Sequence, residues 1–106
     1  GQILFAGYPI SVLVGLLVER CVPGDLARAE KLVALLENLT TSVALAALDL
    51  WPLSCRARLA AAVGDATTYT RVVRRYLELA EELDARGHIA IARQFATDPS
   101  FAAATP

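Results

Sequence analysis

At 106 residues the chain is long enough for one small core and too short for two independent domains. Its 56% apolar share is carried by Ala, Leu and Val rather than by aromatics, a mixture that favours helices. Ten basic and eleven acidic residues leave a net charge of -1, so no global field draws the chain to nucleic acid or to anionic lipid.

In chain order these residues predict an all-α fold of about five helices in antiparallel hairpins. Residues 1–8 read as irregular, because Gly7-Tyr8-Pro9 is a turn signal and Pro9 suits the first position of a helix. The apolar run from Ile3 to Val18 holds Gly7, Pro9 and Gly15 and falls short of the roughly 20 residues of a membrane span. No basic stretch precedes it, as a signal peptide requires. With no initiator Met and so apolar a start, we expect a piece of a longer protein whose remainder covers this segment.

The first helix is expected from about Pro9 to Cys21. Val22-Pro23-Gly24-Asp25 stops it: Pro cannot continue the ladder, Gly tolerates the tight turn, and Asp25 caps the next helix. The second, about Leu26 to Asn38, sets Leu26, Ala29, Leu32, Val33, Leu36 and Leu39 on one face. Leu39-Thr40-Thr41 connects, with Thr41 or Ser42 as cap. The third, about Val43 to Val63, is interrupted by Pro52 and is expected as one kinked helix, with two shorter helices as the alternative. Gly64-Asp65 repeats the earlier break. The fourth helix carries Tyr69, Val72, Val73, Tyr76, Ala80 and Leu83 in the clearest amphipathic pattern of the chain, with Gly87 as its left-handed cap. A short fifth helix spans His88 to about Thr97, and 98–106 is a tail. The domain is thus 9–97, with pairs 9–38 and 43–85 and a closing helix 88–97.

Gly24-Asp25 and Gly64-Asp65 lie 40 residues apart, and at that offset Leu32, Val33, Leu36 and Leu39 fall on Val72, Val73, Tyr76 and Leu79. A helix, a Gly-Asp turn and a returning helix at such a period is how helical solenoids are written. Two units are fewer than the usual minimum of about three, so apolar faces need a cover: further repeats, or a homo-oligomer in the isolated chain.

The pattern resembles tetratricopeptide repeats, best at Ala60-Ala61-Ala62-Val63-Gly64-Asp65 followed by Tyr69, which implies a right-handed array. A narrower resemblance covers about Leu16 to Phe95. Gly24-Asp25-Leu26, Leu50-Trp51, Arg56-Ala57-Arg58-Leu59-Ala60, Gly64-Asp65, Tyr69, Arg75-Tyr76, Ala80 and Gly87-His88-Ile89-Ala90 look like the C-terminal repeat region of large actinobacterial regulators. Those join a class III adenylate cyclase or a LuxR-type DNA-binding domain to an ATPase core. Pro52 departs from that pattern. The resemblance implies a signalling role and transfers no nucleotide-binding or cyclase residue.

Little in the chain carries chemistry of its own. His88 is the only His, which excludes a two-His metal site within one chain, and beside Gly87 it reads as structural. Cys21 and Cys55 read as buried, reduced thiols, without the short spacing of metal or redox motifs. Arg56, Arg58, Arg71, Arg74 and Arg75 read as a solvated face paired with Glu78, Glu81 and Glu82, and nucleic acid is disfavoured as a partner. Trp51 reads as an anchor in the core or at an interface, and Leu13, Leu17, Arg71, Arg74 and Arg75 complete the candidate interface; Gly24, Asp25, Gly64, Asp65, Gly87 and His88 form the turns.

No cofactor or metal is expected, and neither is a membrane span. The expectation is therefore a cytoplasmic, non-catalytic interaction or regulatory module. A small helical nucleic-acid-binding module and a helical enzyme or ligand carrier are the alternatives.

Overall fold

The computed structural model describes residues 2–41 and 45–97, with side chains from residue 7 onward. Five α-helices follow one another: α1 (Gln2–Arg20), α2 (Asp25–Thr41), α3 (Leu50–Val63), α4 (Ala66–Glu82) and α5 (Arg86–Ala96), with a 3-10 turn at Ala46–Asp49 before α3. No strand occurs among the described residues.

α2 starts at Asp25, whose carboxylate turns back to Arg20 and the Val22 amide instead of capping the helix, and it runs through the expected Leu39-Thr40-Thr41 connection to end at Thr41. Three further boundaries differ from the sequence reading. Residues 2–8 are helical rather than irregular, and Pro9 lies inside α1 instead of opening it. An interior Pro costs about 3 kcal/mol against Ala. Tertiary packing offsets that here, because Gly7 backs directly onto the Trp51 ring and Ile10 and Val14 join the core. Pro52 does not kink a long helix. α3 starts only two residues earlier, at Leu50, so Pro52 sits in the first turn, where its missing amide would have had no intrahelical partner. Neither the single kinked helix nor two helices divided at Pro52 is seen: a 3-10 turn at Ala46–Asp49 leads into α3 ahead of Leu50, while Ser42 and Val43 lie outside the described residues.

The third difference concerns Gly87, which is not a C-cap. α4 ends at Glu82, Asp84 takes the left-handed conformation (φ +51°), and the Ala85 amide bonds the Ala80 carbonyl at 2.9 Å, so Gly87 falls within the first turn of α5. The expected end of α5 at Thr97 is met within one residue, and the tail 98–106 lies outside the described residues.

The two Gly-Asp pairs perform different tasks. Gly64 (φ +78°) is the left-handed cap of α3, with the Asp65 amide donating to the Ala60 carbonyl at 2.9 Å. Asp65 then caps α4, accepting from the Thr68 amide at 3.1 Å and the Thr68 hydroxyl at 2.6 Å. At the first break Cys21 (φ +47°) terminates α1. Val22-Pro23-Gly24-Asp25 then forms a β-turn closed by the Asp25 amide on the Val22 carbonyl at 3.0 Å, with Pro second and Gly24 (φ +90°) third, as a type II turn requires.

α1, α3 and α5 lie side by side, α1 against α3 and α3 against α5, while α2 packs on α1 and α3 and α4 on α3 and α5. The extents of 38 × 34 × 20 Å make a slab two helices thick. α1, α3 and α5 are parallel and in register: Tyr8, Trp51 and His88 meet at one level. Gly15, Arg58 and Phe95 meet at the next, each seven residues further along its helix. The core has a cluster of Val14, Leu17, Ala29, Val33, Leu36, Cys55 and Leu59 joining α1, α2 and α3. Two more join α3 to α4 and α5, around Tyr69 and Val73 and around Tyr76 and Ala92. Burial recurs at the 40-residue offset: Val14 and Ser54, Leu17 and Ala57, Ala29 and Tyr69, Val33 and Val73, Leu36 and Tyr76, Thr40 and Ala80 are all buried.

Candidate interaction surface

α1 lies at one edge of the slab, and among the described residues it keeps apolar side chains exposed there. Tyr8, Val12, Leu13 and Leu16 are 62%, 45%, 44% and 56% exposed, at the 3,4 spacing of one stripe. Leu13 and Leu16 border a shallow cleft with Leu17, Glu19, Arg20 and Arg28. Leu17, grouped with Leu13 in the sequence reading, is 5% exposed and belongs to the core.

Trp51 joins the three parallel helices at one end. Its ring meets Tyr8 edge-on at 5.5 Å and His88 edge-on at 4.4 Å, and a Cβ at Gly7 would lie 2.5 Å from its Cδ1. His88 is a packing residue at this junction: its Nδ1 is 2.5 Å from the Tyr76 hydroxyl, tying α5 to α4. Burial lowers the His88 pKa and raises that of Tyr76. At the other end of α4 the Tyr69 hydroxyl donates to the Phe95 carbonyl at 2.8 Å.

The arginines divide by environment. Arg56 is not part of a solvated face with Glu78, Glu81 and Glu82. Its guanidinium clamps α3 to α2 through Glu37, at 2.7 and 3.1 Å, and through Glu30, and these carboxylates raise its pKa further. Arg20 holds Asp25 with two bonds of 2.8 Å, across the first turn; Asp25 is 2% exposed, and Arg20 keeps its carboxyl below the usual range. Arg71, Arg74 and Arg75 are exposed along α4, with Arg75 3.9 Å from Glu78. Arg71 and Arg75 border a cleft of about 410 Å³ that also takes in Glu37, Asp49, Pro52, Leu53 and Arg56. Trp51 faces α1 and α5 instead, so the structure does not bring it together with this basic ridge.

Arg58, two residues beyond Arg56, lies on the other side of α3. It rests over the Phe95 ring at 5.8 Å, with Nη1 3.3 Å from where a Cβ on Gly15 would stand. The sequence reading missed this seat, for which the only signal was the seven-residue spacing from Trp51. Cys55 is buried as expected, and its burial raises the thiol pKa, but Cys21 is exposed where α1 ends. Among the described residues no three His, Cys, Asp or Glu side chains gather as a metal site would need, and no helix is long and apolar enough to cross a membrane. Comparison with known proteins yields no family model, curated protein or solved structure that matches the chain.

Proposed function

We propose that the chain is a non-catalytic interaction module, a short TPR-like helical array that works by presenting helix faces to another domain or subunit. The observation that carries this reading is the apolar stripe on α1. Four large side chains at helical spacing along the edge of the slab cost free energy in water and gain it against a partner. The burial pattern recurring at a 40-residue offset, and the side-by-side order of α1, α3 and α5, support a repeat architecture in which each unit covers the previous one. On this reading the parent is a multidomain cyclase- or LuxR-type signalling protein, located in the cytoplasm.

Sedimentation velocity over a hundredfold range of concentration tests the proposal. The isolated chain self-associates with rising concentration, and Leu13→Glu with Leu16→Lys returns it to a monomer of unchanged helix content. A wild-type chain that stays monomeric at the highest concentration overturns the reading.

A further inference from the structure

The face shared by α1, α3 and α5 has a charge for which no counterpart stands among the described residues. Arg58 is partly buried, yet among the described residues it makes no hydrogen bond and no ion pair; its contact is the Phe95 ring. Arg56 and Arg20, by contrast, are paired with carboxylates. A guanidinium carries five donors, and a ring face satisfies none of them with the geometry that a carboxylate offers. The absence of a side chain at Gly15 keeps room for the head group, since a Cβ there would crowd Nη1. Seven residues earlier on the same side of α3, Trp51 lies partly exposed between Tyr8 and His88. Two turns of helix separate these features by about 10 Å.

We propose that this face binds an acidic segment of a partner protein, with a carboxylate on Arg58 and an apolar side chain against Trp51 and Tyr8. This rests on the reading of the chain as an interaction module. In an extended segment about 10 Å is three residues, so the recognised pattern is an apolar residue and an Asp or Glu three positions apart, in either order. Charge complementarity selects this occupant: the groups meeting at the two levels of the face are Arg58, a His and aromatic rings, with no carboxylate among them.

Selection of a displayed random dodecapeptide library on the full chain tests the proposal, followed by titration of the enriched synthetic peptides. The enriched peptides share the apolar and acidic residues at that spacing. Arg58→Met weakens their binding about tenfold or more, as loss of a charge-assisted bond implies. Tyr8→Ala, at an exposed position, weakens it several-fold, and Arg71→Met on the opposite side leaves it unchanged. Should Arg58→Met fail to fold, Arg58→Lys replaces it, and a loss of at least about fivefold is expected from removal of the planar fork. Acidic peptides indifferent to Arg58, or equally sensitive to Arg71, overturn the proposal, as does a selection that enriches nothing. Non-acidic peptides that lose binding with the Leu13 and Leu16 substitutions also overturn it, while leaving the interaction-module reading in place.

Discussion

Two glycines on either side of α4 look interchangeable in sequence and have opposite demands. Gly64 holds φ +78°, where any side chain is strained, so Gly64→Ala lowers stability by about 1 kcal/mol. Gly87 lies in a helical turn with nothing within 4 Å of an added Cβ, so Gly87→Ala raises it by about 0.4–1 kcal/mol. Urea denaturation of the two variants checks both signs, and a loss at Gly87 would restore it to the role of a cap. His88 makes stability depend on pH. Its folded pKa lies below the unfolded value of 6.5, so the unfolded chain binds more protons in the interval between them. The contribution of neutral His88 is complete above about pH 6.5 and declines as pH falls toward the folded pKa. Asp25 and Asp65, whose pKa values are lowered by Arg20 and by Thr68, withdraw their share only below about pH 4. Denaturation midpoints at pH 8, 7, 6 and 5 follow the first window, and His88→Gln flattens it.

Between helices, Arg56 is the polar fastener of α2 to α3. Arg56→Met lowers stability by about 1 kcal/mol in low salt and by less in high salt, and a double-mutant cycle with Glu37→Gln isolates the pair. Its partners on α2 stand 26 and 19 residues away, a separation no different in kind from that of the α4 carboxylates to which the sequence reading assigned it, so spacing alone does not choose between them. What was legible was local: the amphipathic face of α4, the caps at Gly64 and Asp65, and the turn at Gly24. Pro9 and Pro52 were not, because a Pro is tolerated or disruptive according to where its helix begins. That start was settled by Trp51 packing on Gly7 and by the 3-10 turn ahead of Leu50. The candidate surface was legible only in its ingredients. Trp51 and Leu13 were named, but the pairing of Trp51 with Tyr8 and His88 and the seat of Arg58 require the register of three parallel helices.

At the scale of the molecule, the slab has a central helix to which every other helix is docked, since α3 packs against α1, α2, α4 and α5. The Trp51 junction gives that arrangement an optical signature. Trp51 is the only tryptophan of the chain, and it rests on α1 through Gly7 and Tyr8 and on α5 through His88. Far-UV ellipticity reports helix anywhere, whereas indole emission reports the docking of both outer helices on the central one. We expect the two signals to trace a single coincident transition in urea, as one cooperative unit requires. Emission that changes before ellipticity is lost would show the outer helices parting from α3 while still wound. The native fluorophore thus distinguishes undocking from melting without a label.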